Sequence, residues 1–245
     1  MLQVDEGYEY GLGVFTTMAV ENGRAIFLEQ HLNRLQKSLD FLQIDQEISA
    51  EWVETYIKRN TFTRGALKIM LSEKNRLITT RKNPYTAAAY REGFRLNICE
   101  TRRNESAPLT YHKSLNYADN ILEKRKSLAE GYDEPIFLNT RGEVCEGATT
   151  NIFFVKEDVL YTPQKSSGLL PGIMRDDLLG NQNVRECVIL PDDLAGVEEC
   201  FVTNALLGIM PVESLENHCF TKRDTAQKLL TAYREAWGLR PISCR

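Results

Sequence analysis

The sequence predicts an α+β protein. Amphipathic helical stretches and strand-like runs mix along the chain without regular βαβ alternation, so a doubly wound parallel sheet is not expected. With 245 residues, 42% of them hydrophobic, the chain can bury one large core or two smaller ones.

The elements follow in order. After Gly11-Leu12-Gly13, the run Val14 to Val20 has strand composition, and Glu21-Asn22-Gly23-Arg24 supplies an Asn-Gly hairpin turn into Ala25-Ile26-Phe27. Leu28, Leu32, Leu35, Leu39 and Leu42 recur at steps of three and four, which predicts a helix. A second helix is expected from Ser49 to Asn60, with Ser49 as N-cap and Trp52, Val53, Tyr56 and Ile57 on one face. Ala66 to Leu71 and Arg76 to Thr80 read as strands. Asn83-Pro84-Tyr85 and the small residues Ala87-Ala88-Ala89 form the expected connection between domains. Beyond it, Phe94 to Glu100 restarts an alternating strand, and Leu115 to Glu130 is strongly helical. Glu134 to Leu138, Asn151 to Val155, Val159 to Tyr161 and Cys200 to Asn204 are strand-like. The last helix is expected from about Thr225 to Trp237, stopped by Gly238. The organisation expected is a small α/β domain over residues 1–88 and a larger domain over 89–245.

Bulk properties exclude several classes. A formal net charge of −4 gives no global grip on nucleic acid. No apolar run approaches the roughly 20 residues that span a bilayer. The start Met1-Leu2-Gln3-Val4-Asp5-Glu6 lacks the basic and apolar regions of a signal peptide. The cysteines (Cys99, Cys145, Cys187, Cys200, Cys219, Cys244) form no CxxC pair, so free thiols in a reducing cytoplasm are expected. Three histidines give a metal site or a Ser/His/Asp triad little to draw on, and no metal is expected.

Three separated segments carry the chemistry. Lys113-Ser114-Leu115-Asn116-Tyr117 offers a lysine that can form an imine if neighbours such as Tyr111, Leu115 and Tyr117 hold down its pKa. A solvated lysine near a helix start is the plain alternative. Glu146-Gly147-Ala148-Thr149-Thr150-Asn151 offers a carboxylate for a pyridinium nitrogen, with small residues that let another group approach; taken alone, Glu146 also reads as an exposed hairpin-end glutamate. Leu170-Pro171-Gly172-Ile173-Met174-Arg175 opens a helix whose first N–H groups can hold a phosphate, although many helices start after Pro-Gly without a ligand. Thr203-Asn204, at a strand end, can add donors. Arg34 sits beside core leucines and needs an anion, or equally a carboxylate partner. Together these are the parts of a pyridoxal phosphate (PLP) site.

At these residues the chain resembles the class IV (fold type IV) PLP enzymes, which include branched-chain and D-amino acid aminotransferases and aminodeoxychorismate lyases. The resemblance runs from Tyr10-Gly11-Leu12-Gly13-Val14-Phe15-Thr16-Thr17 through His31-Leu32-Asn33-Arg34-Leu35 to Phe201-Val202-Thr203-Asn204. It implies a small α/β domain, a larger barrel-like domain, PLP between them, and a homodimer. By motif, Lys113 would carry PLP and Glu146 would face the ring nitrogen. Arg34 would bind the phosphate with Ile173, Met174 and Thr203 or Asn204. Tyr117 would face the ring oxygen, at an offset from the lysine one residue shorter than in branched-chain enzymes. Phe15-Thr16-Thr17 replaces the Phe-Glu usual in branched-chain enzymes and looks more like the lyases, as does Gly172-Ile173-Met174-Arg175. The resemblance therefore implies a lyase that converts 4-amino-4-deoxychorismate to 4-aminobenzoate and pyruvate in folate biosynthesis. An aminotransferase for D- or branched-chain amino acids is the alternative. Thr16, Thr17, Arg81 and Lys82 are the candidates on the substrate side, because a dianionic substrate needs cations; a solvated loop is the other reading of Arg81 and Lys82.

Overall fold

The computed structural model describes residues 2–239, which leaves Cys244 outside the described residues. The chain divides into two compact units. One runs to Pro84 and takes in His112–Tyr117; the other comprises Tyr85–Tyr111 and the chain from Ala118 onward. The division falls at Pro84 and not after Ala88, and the lysine segment belongs with the first unit although it follows the connection in sequence.

The first unit opens with a single helical turn, α1 (Glu6–Glu9), capped by the Asp5 carboxylate through Tyr8 N–H at 3.2 Å. Strands β1 (Gly13–Glu21) and β2 (Arg24–Ala25) are joined by Asn22 and Gly23 at φ 52° and 73°, the left-handed pair that an Asn-Gly hairpin turn requires. Helices α2 (Leu28–Leu42) and α3 (Ala50–Arg59) follow, the second capped by Ser49 through Trp52 N–H as its sequence predicts. Strands β3 (Gly65–Ser72) and β4 (Arg76–Arg81) complete a sheet of order β2-β1-β3-β4. Val14, Met18, Val20, Leu67, Ile69 and Leu71 bury one face of this sheet against Leu32, Leu35, Leu39, Val53 and Ile57 of the helices. Phe15, Thr17 and Lys68 therefore occupy the opposite face, with Thr17 directly across from Lys68.

Residues His112–Tyr117 lie along the free edge of β1. Phe15 N–H donates to Lys113 O at 2.9 Å, Leu115 N–H donates to Gly13 O at 2.8 Å, and Val14 pairs with Ser114. A Cβ at Gly13 would come within 2.6 Å of the Leu115 side chain and 2.7 Å of Leu71 O, so only glycine admits this close approach. The pairing also corrects one expectation. The helix foreseen from Leu115 begins at Ala118, because the backbone of 113–115 is committed to β1.

In the second unit, Ala87-Ala88-Ala89 forms a helix, α4 (Ala87–Glu92), where a plain connection was expected. Thr86 caps it through Ala89 N–H, alanine is the best helix former, and Gly93 at φ 81° ends it. Next come β5 (Phe94–Arg103), α5 (Ala118–Ala129), β6 (Glu134–Asn139), β7 (Val144–Gly147), β8 (Asn151–Lys156), β9 (Val159–Pro163), α6 (Ile173–Asn181), β10 (Val184–Cys187), β11 (Glu199–Asn204), β12 (Gly208–Leu215), β13 (His218–Cys219) and α7 (Asp224–Ala236). Strands β5 to β13 form one sheet of order β10-β9-β8-β11-β12-β5-β6-β7, with β13 on β12. Its far strand β7 packs back beside β8 and β9, and Val144 N–H donates to Ile189 O at 2.7 Å, so the sheet curls into a half-barrel. Leu96, Ile136, Val144, Ile152, Val202 and Met210 are among the side chains that fill its core. No helix of the described residues is long and apolar enough to cross a membrane.

Candidate active site

Lys113, Tyr117, Arg34, Thr16, Thr17, Arg81 and Lys82 lie in the first unit. Lys113 Nζ stands 4.6 Å from the centroid of the Phe15 ring and 4.8 Å from that of Tyr117. The two rings meet edge to face at 5.1 Å. Tyr111, expected beside the lysine, belongs to the second unit, where its hydroxyl donates to Glu105 O at 2.6 Å. His112 fixes the segment to α2: its Nδ1 lies 3.0 Å from Ser38 Oγ and its ring stacks on Phe41 at 4.2 Å.

Thr16 is fully buried. Its hydroxyl accepts from Arg34 Nη2 at 3.0 Å and lies 2.6 Å from His31 Nδ1. Thr17 is half-buried, and Arg81 and Lys82 are exposed. The sequence reading passed over Lys68. It is half-buried with Nζ 4.4 Å from the Phe15 centroid, and burial together with the nearby Arg81 charge pushes its pKa below the ordinary lysine value. The alternation of Ala66 to Leu71 held a signal for it. Leu67, Ile69 and Leu71 claim the core, so a lysine between them must stand on the other face.

Glu146, Ile173, Met174, Thr203 and Asn204 lie in the second unit. Glu146, on β7, is buried, with Oε1 3.2 Å from Arg103 Nη2 and Oε2 accepting from Leu170 N–H at 3.0 Å. Arg103 is itself held: its guanidinium covers the Phe137 ring at 3.9 Å and donates to Asn120 Oδ1 at 3.1 Å. Sequence reasoning missed Arg103, because an arginine at the end of a strand carries no local signature. The carboxylate is thus tied to the loop that precedes α6.

That loop is fixed from below by Asn151, whose Nδ2 donates to Leu170 O at 2.9 Å. A Cβ on Gly172 would meet Asn151 Oδ1 at 2.1 Å, so the loop can approach only as glycine. No side chain caps α6, and Ile173 and Met174 in its first turn are buried. Across the ladder from Asn151 stands Thr203, and its buried hydroxyl has no hydrogen-bond partner among the described residues. An uncapped helix start beside an orphan hydroxyl suits an anion such as a phosphate. Asn204 differs from Thr203. Its Oδ1 accepts from Leu206 and Leu207 N–H, and its Nδ2 donates to Tyr85 Oη and Thr149 O, so its side chain braces the β11–β12 turn.

The described residues hold no group of three or more His, Cys, Asp or Glu arranged to hold a metal ion.

The pattern matches a known class. Residues 13–215 fit the family model described as amino-transferase class IV, and the chain belongs to that family. Its enzymes are PLP-dependent, and the two-unit α+β architecture with a curled half-barrel sheet is fold type IV. The aminodeoxychorismate lyase of Bacillus subtilis (strain 168) is 28% identical over 238 residues, covering 86% of this chain and 80% of that protein. The D-alanine aminotransferase of Bacillus licheniformis is 27% identical over 235 residues, covering 86% of this chain and 82% of its own length. Among solved structures, the 4-amino-4-deoxychorismate lyase from Pseudomonas aeruginosa superposes with a TM-score of 0.85 at 27% identity, over 96% of this chain and 95% of that one.

Proposed function

We propose that the protein is a PLP-dependent lyase that converts 4-amino-4-deoxychorismate to 4-aminobenzoate and pyruvate. The observation that carries the choice of lyase is Lys68. A half-buried ammonium with no carboxylate within 4.0 Å among the described residues calls for an anion from outside the chain. A substrate with two carboxylates supplies it, and Lys68 stands over the same Phe15 ring as Lys113. Arg81, close enough to depress the Lys68 pKa, adds to the positive field.

Each residue then has a task. Bound PLP supplies an electron sink for the carbon that loses its proton. Glu146 would face the ring nitrogen, held in place by Arg103 and Leu170 N–H. The phosphate would be held by Arg34, the Thr203 hydroxyl and the first N–H groups of α6 at Ile173 and Met174. Tyr117 packs beside the lysine amine and limits its solvation. The Lys113 amine would be the base that removes the proton from the carbon bearing nitrogen. The same amine, then protonated, would hold a proton for the departing enolpyruvyl group. Aromatisation of the substrate ring makes that elimination strongly downhill.

The test is a product assay. Mixing the protein with aminodeoxychorismate should release pyruvate and 4-aminobenzoate with no keto-acid acceptor present. The similarity to D-alanine aminotransferase supports the second reading, a transaminase. A protein inert to aminodeoxychorismate that exchanges amino groups with D-alanine or a branched-chain amino acid would establish that reading, with the tasks of Lys113 and Glu146 unchanged.

A further inference from the structure

We infer that the Thr16 hydroxyl, oriented by the His31 imidazole, sets the plane of the Arg34 guanidinium and thereby the strength with which Arg34 holds a phosphate. Thr16 and His31 are then positioning residues, and the identity of the anion rests on the PLP reading above. A guanidinium can only donate, so Thr16 Oγ accepts from Arg34 at 3.0 Å. Among the described residues, the hydroxyl proton has one acceptor, His31 Nδ1 at 2.6 Å. That fixes the imidazole as the tautomer with its proton on Nε2.

Two further observations agree. His31 is fully buried, and burial, followed by the charges of Arg34 and Lys113, pushes its pKa well below the usual histidine value, so Nδ1 is an acceptor across the physiological range. Nε2, which then carries the proton, is buried without a hydrogen-bond partner among the described residues. An orphaned buried donor is costly. The opposite tautomer would leave the buried Thr16 proton without an acceptor among the described residues. The arrangement tolerates the cost at Nε2 and keeps the relay intact at the end that faces Arg34. Because the Thr16 acceptor is uncharged, the contact orients the guanidinium without cancelling its charge.

The relay predicts a loss confined to the phosphate end of the cofactor. Protein stripped of cofactor is titrated with PLP and with pyridoxal, which lacks the phosphate, and the visible absorbance of the lysine-bound form is followed. Thr16→Val should bind PLP roughly ten- to a hundredfold more weakly, the scale of one hydrogen bond to a charged group, while pyridoxal binding stays within about twofold. Thr16→Ser, which restores the hydroxyl, should recover PLP affinity to within about threefold. Equal losses for PLP and pyridoxal, or no loss for either, would overturn the relay. A nitrogen-15 spectrum of the wild-type protein checks it without any variant: His31 should show Nε2–H and an acceptor Nδ1 at neutral pH, and an Nδ1–H tautomer would sink it. Wild-type protein with no affinity for PLP would sink the cofactor reading and the relay together, whereas normal PLP binding in Thr16→Val sinks the relay alone.

Discussion

The two units hold several of their key charged groups in different ways. In the first, Lys68 and Lys113 both stand over the Phe15 ring, and Arg34 donates to an uncharged hydroxyl. The second buries carboxylates, and each has several partners. Glu134 accepts from Lys124, Thr149 and Thr150; Glu143 from Arg141 and Asn139; Glu199 from the first N–H groups of α7; and Glu146 from Arg103 and Leu170 N–H. Burial, with a cation nearby, lowers the pKa of a lysine, as at Lys68, whereas a buried carboxylate is held by donors. On the function proposed above, the first unit would supply the reactive lysine and the second a rigid support for the cofactor.

The sharpest way to break this comparison is to remove the reactive group. Lys113→Ala should retain the fold and lose turnover by about a thousandfold or more, within the range for a positioned acid–base group. Borohydride reduction of the wild-type holoenzyme followed by peptide mapping should place the label on Lys113. A label on Lys68, the other lysine over Phe15, would exchange the roles of the two. Next in size is Glu146→Gln, for which the rate should fall about a hundredfold, as for loss of one positioned electrostatic group. A near-native rate would move the ring-nitrogen partner to another acid, although both oxygens of Glu143 are already engaged by Arg141.

Sequence pattern made much of this legible, for reasons that differ between the units. The leucine spacing of α2, the Ser49 cap and the Asn22-Gly23 turn are local signals, and each appears in the structure where local chemistry puts it. The Lys113 segment is not local: its backbone is captured by β1 about a hundred residues earlier in the chain, so helical composition from Leu115 onward misleads until Ala118. Four buried glutamates look alike in sequence, and only the small residues after Glu146 set it apart. Arg103 and the Thr16–His31 contact join positions from different elements, which no periodicity reveals. Strands β10 and β12 were also missed; β10 is short and half-exposed, and Pro211 interrupts the pattern of β12.

A smaller effect tests the rigidity of the second unit. Gly172 has an ordinary extended backbone, so Gly172→Ala acts through one contact, the 2.1 Å approach to Asn151 Oδ1. Asn151 is buried and bonded to Leu170 O, so it cannot swing aside without losing that bond. The variant should lose about 1–3 kcal/mol in denaturant unfolding, the usual cost of overpacking. Native stability would show that the loop before α6 yields, and that Glu146 is not rigidly tied to it.

The smallest effect compares two carboxylates whose pKa values are both depressed to about 2, Asp5 in the first unit and Glu143 in the second. Asp5 is held down by the Ser72 hydroxyl first and by Lys74 and Tyr8 N–H and Asn75 besides, all uncharged donors. Glu143 is held down chiefly by hydrogen bonds from the Arg141 guanidinium, with Asn139 adding to it. In both cases the unfolded carboxyl takes up a proton at higher pH than the folded one. The stability each contributes is therefore complete above its ordinary value near 4 and is lost as pH falls through about 2. Asp5→Asn should flatten its share of that acid limb and cost about 1 kcal/mol at neutral pH through the weakened α1 cap. Salt distinguishes the two. At about 1 M salt the Debye length shrinks to roughly 3 Å, which weakens the half-exposed Arg141 pair and leaves the uncharged donors around Asp5 unaffected. Acid unfolding of Glu143→Gln, relative to wild type, should thus lose much of its difference in high salt, while that of Asp5→Asn keeps it. Equal salt responses would mean that the Asp5 cluster relies on the charge of Lys74 and not on its backbone N–H.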